Sequence, residues 1–165
     1  MTLVLPDPEA LCAELVRQLR PHVNADTALV GIHTGGAWLA ERLHEALGIA
    51  LPMGLLDISF YRDDFDKTGL HPQIKPTQIP FDVDARHIIL VDDVLYTGRT
   101  VRGAMNELFD YGRPASISLA VLIDRGGREL PVAAQYIGAS LEVPTNRMLV
   151  LDRNENGKLR LKLDA

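Results

Sequence analysis

The sequence predicts an α/β fold in which a mostly parallel central sheet is flanked by helices. Two observations indicate it. Short apolar segments alternate along the chain with segments of helical periodicity, and the apolar segments lack the strict alternation of strands that face water on one side. The 165 residues suit a single domain spanning 1–165 with a core of its own.

Composition narrows the function classes. The formal net charge of −5 argues against a surface built wholly for nucleic acid. The single cysteine, Cys12, allows no internal disulfide, which is typical of a reducing compartment. No apolar run approaches the roughly 18 residues that span a bilayer, and the N-terminus lacks the basic segment of a signal peptide. We therefore expect a cytoplasmic protein with no membrane partner.

The first half of the chain is predicted to contain two helices and two strands. Asp7 is the expected N-cap of the first helix, which opens on Pro8 and repeats leucine every four residues. The elements that follow are a strand over 28–32, a helix over 37–47 that ends at Gly48, and a strand over 54–62.

The interval 63–84 contains prolines and a glycine and shows little periodicity. Loops of this length in compact domains usually have a function. We expect a flexible lid over the functional site, and a hairpin arm with weak strands is the alternative.

The second half is predicted to hold one helix between buried strands, followed by a terminal hairpin. Its elements are a strand over 87–91, a helix over 100–111 closed by Gly112, a strand over 116–124, and strands within 134–139 and 147–152. Asn156 and Gly157 form the strongest short hairpin-turn signal, so the C-terminus is expected to be an antiparallel pair.

Two strand–turn–helix junctions suit anions. The first is HTGG at 33–36, whose glycines let main chain approach a ligand, and the second is TGRT at 97–100, which combines hydroxyls, a glycine and a cation at a helix start. Both lie where open α/β sheets bind ligands. Neither matches the phosphate loop of NTPases or a dinucleotide fingerprint. Taken alone, HTGG is equally consistent with a simple tight turn.

Two adjacent acids, Asp92 and Asp93, are expected to follow the strand over 87–91. One interpretation is a pair of solvated carboxylates favoured by the dipole of the next helix. The other is an acceptor for a vicinal diol, because an ionised carboxylate only accepts hydrogen bonds. A diol acceptor beside a phosphate-binding turn describes a site for ribose 5-phosphate.

The segment IILVDDVLYTGRT resembles the 5-phosphoribosyl 1-pyrophosphate signature of type I phosphoribosyltransferases. The segments DISFYRDDF, YGRPASISLAVLIDRGGRELPV and YIGASLEVPT are similar to the pyrimidine operon regulatory protein (PyrR-like) family, whose members also act as uracil phosphoribosyltransferases. The resemblance runs over about 31–145. It implies a type I phosphoribosyltransferase fold with a flexible loop and a small C-terminal hood or hairpin. The implied reaction makes UMP and pyrophosphate from uracil and 5-phosphoribosyl 1-pyrophosphate.

The resemblance also implies roles for particular residues. Catalytic roles fall to Asp92, Asp93 and Arg62. The residues implied at the 5-phosphate are Tyr96, Thr97, Gly98, Arg99 and Thr100, those at pyrophosphate are His33, Thr34, Gly35 and Gly36, and those at the base are Ile123 and Asp124. The family's pyrophosphate loop often carries a cis peptide bond without proline. Mg²⁺ is expected to bind through substrate and water rather than in a protein cage.

Three positions depart from the family pattern, and each removes positive charge or polar reach. Gly35 stands where the family commonly has arginine, Gly127 where it often has histidine, and Glu142 in a stretch that is commonly basic. The change at Gly35 could remove a contact to the leaving group. Binding to pyrimidine-gene messenger RNA is therefore expected to be weak.

Two alternatives to a uracil transferase stay open. One is an RNA-binding attenuator of pyrimidine genes with weak or no catalysis, and the other is a transferase for another base. The resemblance also implies a homo-oligomer, a dimer or larger.

Overall fold

The computed structural model describes residues 3–58 and 77–164. The helices there are α1 (Pro8–Leu19), α2 (Gly35–Leu47) and α3 (Arg99–Phe109), with a 3₁₀ turn at Arg20–His22. The strands are β1 (Thr27–Ile32), β2 (Gly54–Leu56), β3 (His87–Leu95), β4 (Ser116–Asp124), β5 (Tyr136–Ser140), β6 (Met148–Arg153) and β7 (Leu159–Asp164).

The predicted fold class is confirmed. In the described ranges β1 to β5 form one sheet in the order β2-β1-β3-β4-β5, and every neighbouring pair in it is parallel. Strands β6 and β7 form a separate antiparallel pair. Gly157 has a φ of 82° in the connection between them, as the Asn-Gly signal predicts.

Both faces of the sheet are covered. The face under α1 and α2 is packed by Leu15, Leu19, Leu39, Leu43 and Cys12, together with residues of β6 and β7. The opposite face is packed by Val101, Ala104 and Leu108 of α3. All six residues of β1 are buried, as expected for a strand without alternation.

The hairpin of β6 and β7 is attached to the helices of the first face. Glu9 of α1 accepts hydrogen bonds from both Arg42 of α2 and the main-chain nitrogen of Leu159. The guanidinium of Arg153 lies 4.7 Å from the ring centroid of Trp38, which is a cation–π distance. These contacts place β6 beside the carboxyl ends of β1 and β3.

Two strands differ in length from their predictions. Strand β2 ends at Leu56 instead of continuing to 62, because its partner β1 ends at Ile32, opposite Leu56. Residues 59–62 lie outside the described part of the chain. Strand β3 continues past Val91 to Leu95, because it keeps pairing with β4 as far as Asp124.

Two helices begin earlier than predicted, and one of them also ends earlier. Helix α2 begins at Gly35 and α3 at Arg99, while α3 ends at Phe109. Helix α1 ends at Leu19, and the chain then tightens into the 3₁₀ turn. Pro21 lies in this turn and cannot donate an amide hydrogen to a longer helix.

The predicted lid lies mostly outside the described residues. Its last part is described at 77–84, where Gln78 exchanges main-chain hydrogen bonds with Leu55 on the edge of β2. Val83 is buried in the core face under α3. This last part is therefore packed against the sheet. No helix within 3–58 or 77–164 is long and apolar enough to cross a membrane.

Candidate active site

A pocket opens at the carboxyl ends of β1 and β3 and includes about 600 Å³ when its open side is counted. The hairpin forms its far wall. The residues that line it are Ile32, His33, Thr34, Gly35, Asp92, Asp93, Val94, Tyr96, Thr100, Met148 and Leu149. Polar groups, main-chain turns and an apolar wall therefore meet in one place.

The two acids lie within β3 and not after it, which corrects the sequence prediction. Asp92 pairs in register with Val121 of β4 and is only 6% exposed, whereas Asp93 is half-buried. The amide of Asp93 donates to the Asp92 carboxylate at 2.8 Å, and the amide of Val94 donates to the Asp93 carboxylate at 2.9 Å. These amides stabilise carboxylates at positions that a strand would normally give to apolar residues.

The first turn, His33–Thr34, connects β1 directly to α2. Its peptide bond is cis, as the resemblance implies for a pyrophosphate loop. The amide of His33 donates to the Leu56 oxygen at 2.9 Å, and the Thr34 oxygen accepts from the amide of Trp38 at 3.3 Å. Hydrogen bonds to the end of β2 and to the N-terminal part of α2 thus fix the positions of His33 and Thr34.

The glycines that follow this turn lie against the acids. A Cβ on Gly36 would approach the Val91 oxygen to 2.6 Å, and a Cβ on Gly35 would approach Asp93 Oδ2 to 2.3 Å. The start of α2 therefore contacts the main chain of β3 at Gly36, where a side chain has no room, and contacts the Asp93 side chain at Gly35. An arginine at position 35, as the resembled family commonly has, would require the Asp93 carboxylate to move.

The second turn, Tyr96–Gly98, connects β3 to α3. Gly98 is the N-cap, with a φ of 98°, and the amide of Arg99 donates to Thr97 Oγ1 at 3.3 Å. Thr97 is buried, and its main-chain oxygen accepts from the amides of Glu129 and Leu130. The segment after β4 therefore supports this turn from behind.

A model of the phosphoribosyl transferase domain family matches residues 5–147. The chain belongs to the phosphoribosyl transferase family. A protein named bifunctional protein PyrR, from Pseudomonas syringae pv. tomato, is 47% identical over 96% of this chain and 95% of its own length. Another of that name, from Nitrosococcus oceani, is 58% identical over 75% of this chain and 71% of its own length. The resemblance to the PyrR-like group is thus confirmed.

Solved structures of the same fold are more distant in sequence. A mutant hypoxanthine phosphoribosyltransferase from Trypanosoma cruzi is 19% identical, with a TM-score of 0.69 over 95% of this chain and 92% of that one. The hypoxanthine phosphoribosyltransferase of Staphylococcus aureus is 22% identical, with a TM-score of 0.64 over 87% and 78%. At these identities the likeness concerns the phosphoribosyltransferase fold.

The pocket brings together seven of the residues that the sequence singled out: His33, Thr34, Gly35, Asp92, Asp93, Tyr96 and Thr100. Thr97 and Gly98 of the second turn, and Gly36 and Arg99 in the helices that follow the two turns, do not line the pocket. Arg99 is exposed, and its Nε donates to Glu129 at 2.9 Å. Arg62 lies outside the described residues.

Ile123 and Asp124, singled out for the base, do not line this pocket. Ile123 is fully buried in the core under α1 and α2. The Asp124 carboxylate accepts from Arg128 at 2.5 Å and from the amide of Gly126 at 2.9 Å. Burial alone would raise the pKa of Asp124, but these hydrogen bonds hold it below its ordinary value. The carboxylate is therefore already engaged as an ion.

Four lining residues were missed by sequence reasoning. Ile32 and Val94 are strand residues next to the motifs, and their apolar character suggested only core packing. Met148 and Leu149 arrive from β6, far along the chain. No local pattern connects them to the acid pair, so only the docking of the hairpin reveals them.

Proposed function

We propose that the protein is a uracil phosphoribosyltransferase, which makes UMP and pyrophosphate from uracil and 5-phosphoribosyl 1-pyrophosphate. The observation that carries the proposal is the acid pair, Asp92 and Asp93, set between two turns that each lead into a helix. A helix start offers free amides to phosphate, and a carboxylate pair accepts from a ribose diol. One pocket can therefore hold the sugar and both of its phosphate groups.

Each part of the donor has a place in this scheme. The 5-phosphate binds the turn of Tyr96, Thr97 and Gly98 together with the first residues of α3, Arg99 and Thr100. Pyrophosphate binds the turn at 33–36. Arg62 is proposed as a further pyrophosphate contact.

The base lies against the apolar part of the pocket. Val94 on one side and Met148 and Leu149 on the other supply apolar surface for a planar ring. Ile123 and Asp124 are retained as candidate base contacts. Because the side chain of Ile123 is fully buried, its contact with a base would come from its main chain.

The reaction requires positioning and charge stabilisation rather than a protein nucleophile. A ring nitrogen of uracil forms its bond to the anomeric carbon while the bond from that carbon to pyrophosphate breaks, and the nitrogen's proton is released. Positive charge develops on the ribose ring. Asp92 and Asp93 hold the diol beside this charge and stabilise it electrostatically.

The site suits a hard divalent cation. Carboxylate oxygens are ligands that Mg²⁺ prefers, and it usually keeps several waters and binds substrate phosphates. Within 3–58 and 77–164, no group of three or more acidic, histidine or cysteine side chains forms a cage. We propose that Mg²⁺ would be held near Asp92 and Asp93 through the donor and water rather than in a protein cage. A bound Mg²⁺ would supply positive charge to offset the negative charge of the leaving pyrophosphate.

A panel of radiolabelled nucleobases tests the proposal. Each base is incubated with 5-phosphoribosyl 1-pyrophosphate and Mg²⁺, and nucleotide product is separated and counted. Uracil should be converted, and omission of Mg²⁺ or of the donor should abolish the product. Conversion of only hypoxanthine or guanine would identify a transferase for another base.

The second candidate function is an RNA-binding regulator of pyrimidine genes that acts in the cytoplasm. The relatives' name calls them bifunctional. Arg160 and Lys162 are exposed at alternate positions of β7, and the exposed Lys158 directly precedes this strand, although Arg160 forms an ion pair with Asp152. Filter binding over a salt series tests this candidate. We expect weak binding to RNA, and the salt dependence of this binding should be smaller in a K158E/K162E variant. Nanomolar affinity for one specific RNA hairpin would instead establish a regulator.

A further inference from the structure

Arg125, the residue directly after β4, carries a charge into the interior of the protein. It is 8% exposed, and its Nε has no hydrogen-bond partner among the described residues. Its other guanidinium nitrogens donate only to main-chain oxygens in the described part of the chain. A buried guanidinium without a carboxylate is costly, so this placement needs a reason beyond packing.

The side chain holds the connection between β5 and β6. One terminal nitrogen donates to the Arg147 oxygen at 3.0 Å, and the other donates to the Pro144 oxygen at 3.0 Å and the Val143 oxygen at 3.4 Å. Met148 and Leu149, which follow directly, are the pocket wall. Arg125 thus fixes the residues from which that wall begins.

The same guanidinium holds the other side of the pocket. Its central carbon lies 4.0 Å from the ring centroid of Tyr96, which lines the pocket, and the Arg125 amide donates to the Leu95 oxygen at 3.0 Å. One planar group therefore stacks on the start of the second turn and binds three carbonyls of the hairpin connection. Lysine cannot do both, because it lacks the flat fork of donors.

A second arginine continues the link into the hairpin. Arg147, whose oxygen Arg125 binds, donates its own side-chain nitrogens to the oxygens of Leu163 and Asp164 at 3.2 Å each. The end of β7 is thereby coupled to the connection that Arg125 holds. This chain of contacts runs from the second turn to both strands of the hairpin.

We infer that Arg125 is a positioning residue that sets the distance between the Met148–Leu149 wall and the end of β3, and thereby the fit of the base between that wall and Val94. The inference rests on the proposed function, because it names the base as the substrate affected. Its effect should be specific. Affinity for the base depends on this wall. The turn that binds the 5-phosphate is supported by main-chain hydrogen bonds, from the Arg125 amide to the Leu95 oxygen and from two further amides to the Thr97 oxygen, and a change of the Arg125 side chain leaves these bonds in place.

The test compares R125K with R86K in the full chain. Arg86 is a suitable control because it also donates to a main-chain oxygen and pairs with an acid, Asp26, at the opposite end of the sheet. In R125K the KM for uracil should rise roughly 10-fold, while kcat and the KM for the donor change by less than about 3-fold. R86K should leave all three constants unchanged. Equal constants in the two variants, or an equal rise in both KM values, would overturn the inference.

Amide hydrogen exchange without substrate provides a measurement that does not depend on turnover. Exchange over 143–149 should become roughly 10-fold faster in R125K and stay unchanged in R86K. Unchanged exchange in R125K would contradict the positioning role. If the wild-type protein converts no base, the proposed function fails, and this comparison alone decides whether Arg125 holds the wall.

A neutral variant, R125Q, is made in parallel because a buried lysine could impair folding. Glutamine can still donate to one carbonyl, so we expect a folded protein with the same selective rise in the KM for the base. If neither R125K nor R125Q folds while R86K does, Arg125 is a general folding determinant and the inference is wrong.

Discussion

The two turns that border the acid pair both require glycine, but for different physical reasons. At the first turn, Gly35 and Gly36 have ordinary helical backbone, and glycine is needed because β3 lies where a Cβ would be. At the second turn, Gly98 has a φ of 98°, which residues with a side chain rarely adopt. Contact with β3 therefore decides the need for glycine at the first turn, and a positive φ decides it at the second.

The turns also differ in what they offer a ligand. The first turn contributes His33 and Thr34 at the pocket edge and lies directly against Asp93. The second contributes Tyr96 and leads to Thr100 at the start of α3. In the proposed function the first turn therefore binds the group that leaves, next to the acids, and the second holds the phosphate that stays.

The largest expected effect is on the acids that the two turns share. In D93N the amide keeps the shape of the side chain but loses its charge, so the diol and the developing positive charge lose a partner. We expect kcat/KM to fall roughly 10²–10³-fold, the size of effect found when one electrostatic contact in an active site is removed. The measurement is steady-state turnover of uracil, with thermal unfolding to check the fold.

The control is D110N, at an exposed aspartate that caps the end of α3 away from the pocket. It should keep wild-type turnover. Normal activity in D93N would show that the acid pair has no part in the mechanism. The assignment of different phosphate groups to the two turns would then lose its basis.

The next effect separates the neighbouring glycines of the first turn. A Cβ at position 36 would meet main-chain atoms, the Val91 oxygen at 2.6 Å and the Asp92 Cα at 3.0 Å, whereas the three atoms nearest to one at position 35 all belong to the Asp93 side chain. Main chain within a sheet cannot move aside as a carboxylate can. G36A should therefore lower the free energy of unfolding by about 2–3 kcal/mol, and G35A by about 1 kcal/mol, as overpacked interiors do.

Denaturant unfolding of both variants provides the measurement, and turnover sharpens it. G35A should lose more activity than its small stability change explains, because its new methyl displaces the Asp93 carboxylate. Equal stability losses in the two variants would contradict the packing that distinguishes these positions.

Local signals predicted much of the fold. The cap at Asp7, whose carboxylate accepts from the amide of Glu9 at 3.1 Å, the limits of β4 and the Asn-Gly turn are all properties of adjacent residues. The extension of β3 through the two acids was not predictable in this way. Aspartate is unfavourable in strands, and pairing with β4, which is distant along the chain, extends the strand through these residues.

The residues of the candidate site also divide into those that local sequence predicts and those that depend on distant parts of the chain. His33 to Gly36 and Asp92 to Thr100 stand in two short motifs, so reading the sequence found them together. The start of α2 at Gly35 was missed because two glycines normally indicate a loop, and their helical geometry depends on the room beside Asp93. Met148 and Leu149 were missed because a hairpin docked through Glu9 brings them to the pocket.

A smaller effect tests the second turn. Gly98 and Gly126 both have positive φ, 98° and 73°, but a Cβ at Gly98 would lie 2.5 Å from Val132 Cγ2, and one at Gly126 would meet nothing within 4 Å. G126A therefore measures backbone strain alone, about 1 kcal/mol, and G98A should lose about 2 kcal/mol of unfolding free energy. Denaturant titration compares them. A G126A protein as destabilised as G98A would show that backbone conformation, and not contact with Val132, decides the second turn.

The smallest effect concerns how the helices after the two turns are anchored. Helix α2 is held through Arg42, whose hydrogen bond lowers the pKa of Glu9 to about 2 against the opposing effect of burial. Because this pKa lies below the ordinary 4.5, the contribution to stability is present above pH 4.5 and is lost as the pH falls towards 2. We expect E9Q to lower the free energy of unfolding by about 1 kcal/mol at pH 6, less than the full shift because both side chains are partly exposed.

Unfolding at pH 6 and pH 3 measures this difference, with E14Q as the matched control. Glu14 also pairs with an arginine of α1, Arg17, but that arginine is 72% exposed, and water and salt screen the pair. The stability difference between E9Q and wild type should shrink from pH 6 to pH 3, and E14Q should differ little from wild type at either pH. If E14Q matched E9Q, the effect would belong to carboxylates of α1 in general. The hydrogen bonds from Arg42 of α2 and Leu159 of β7 to Glu9 would then add no more to the free energy of unfolding than an exposed ion pair does.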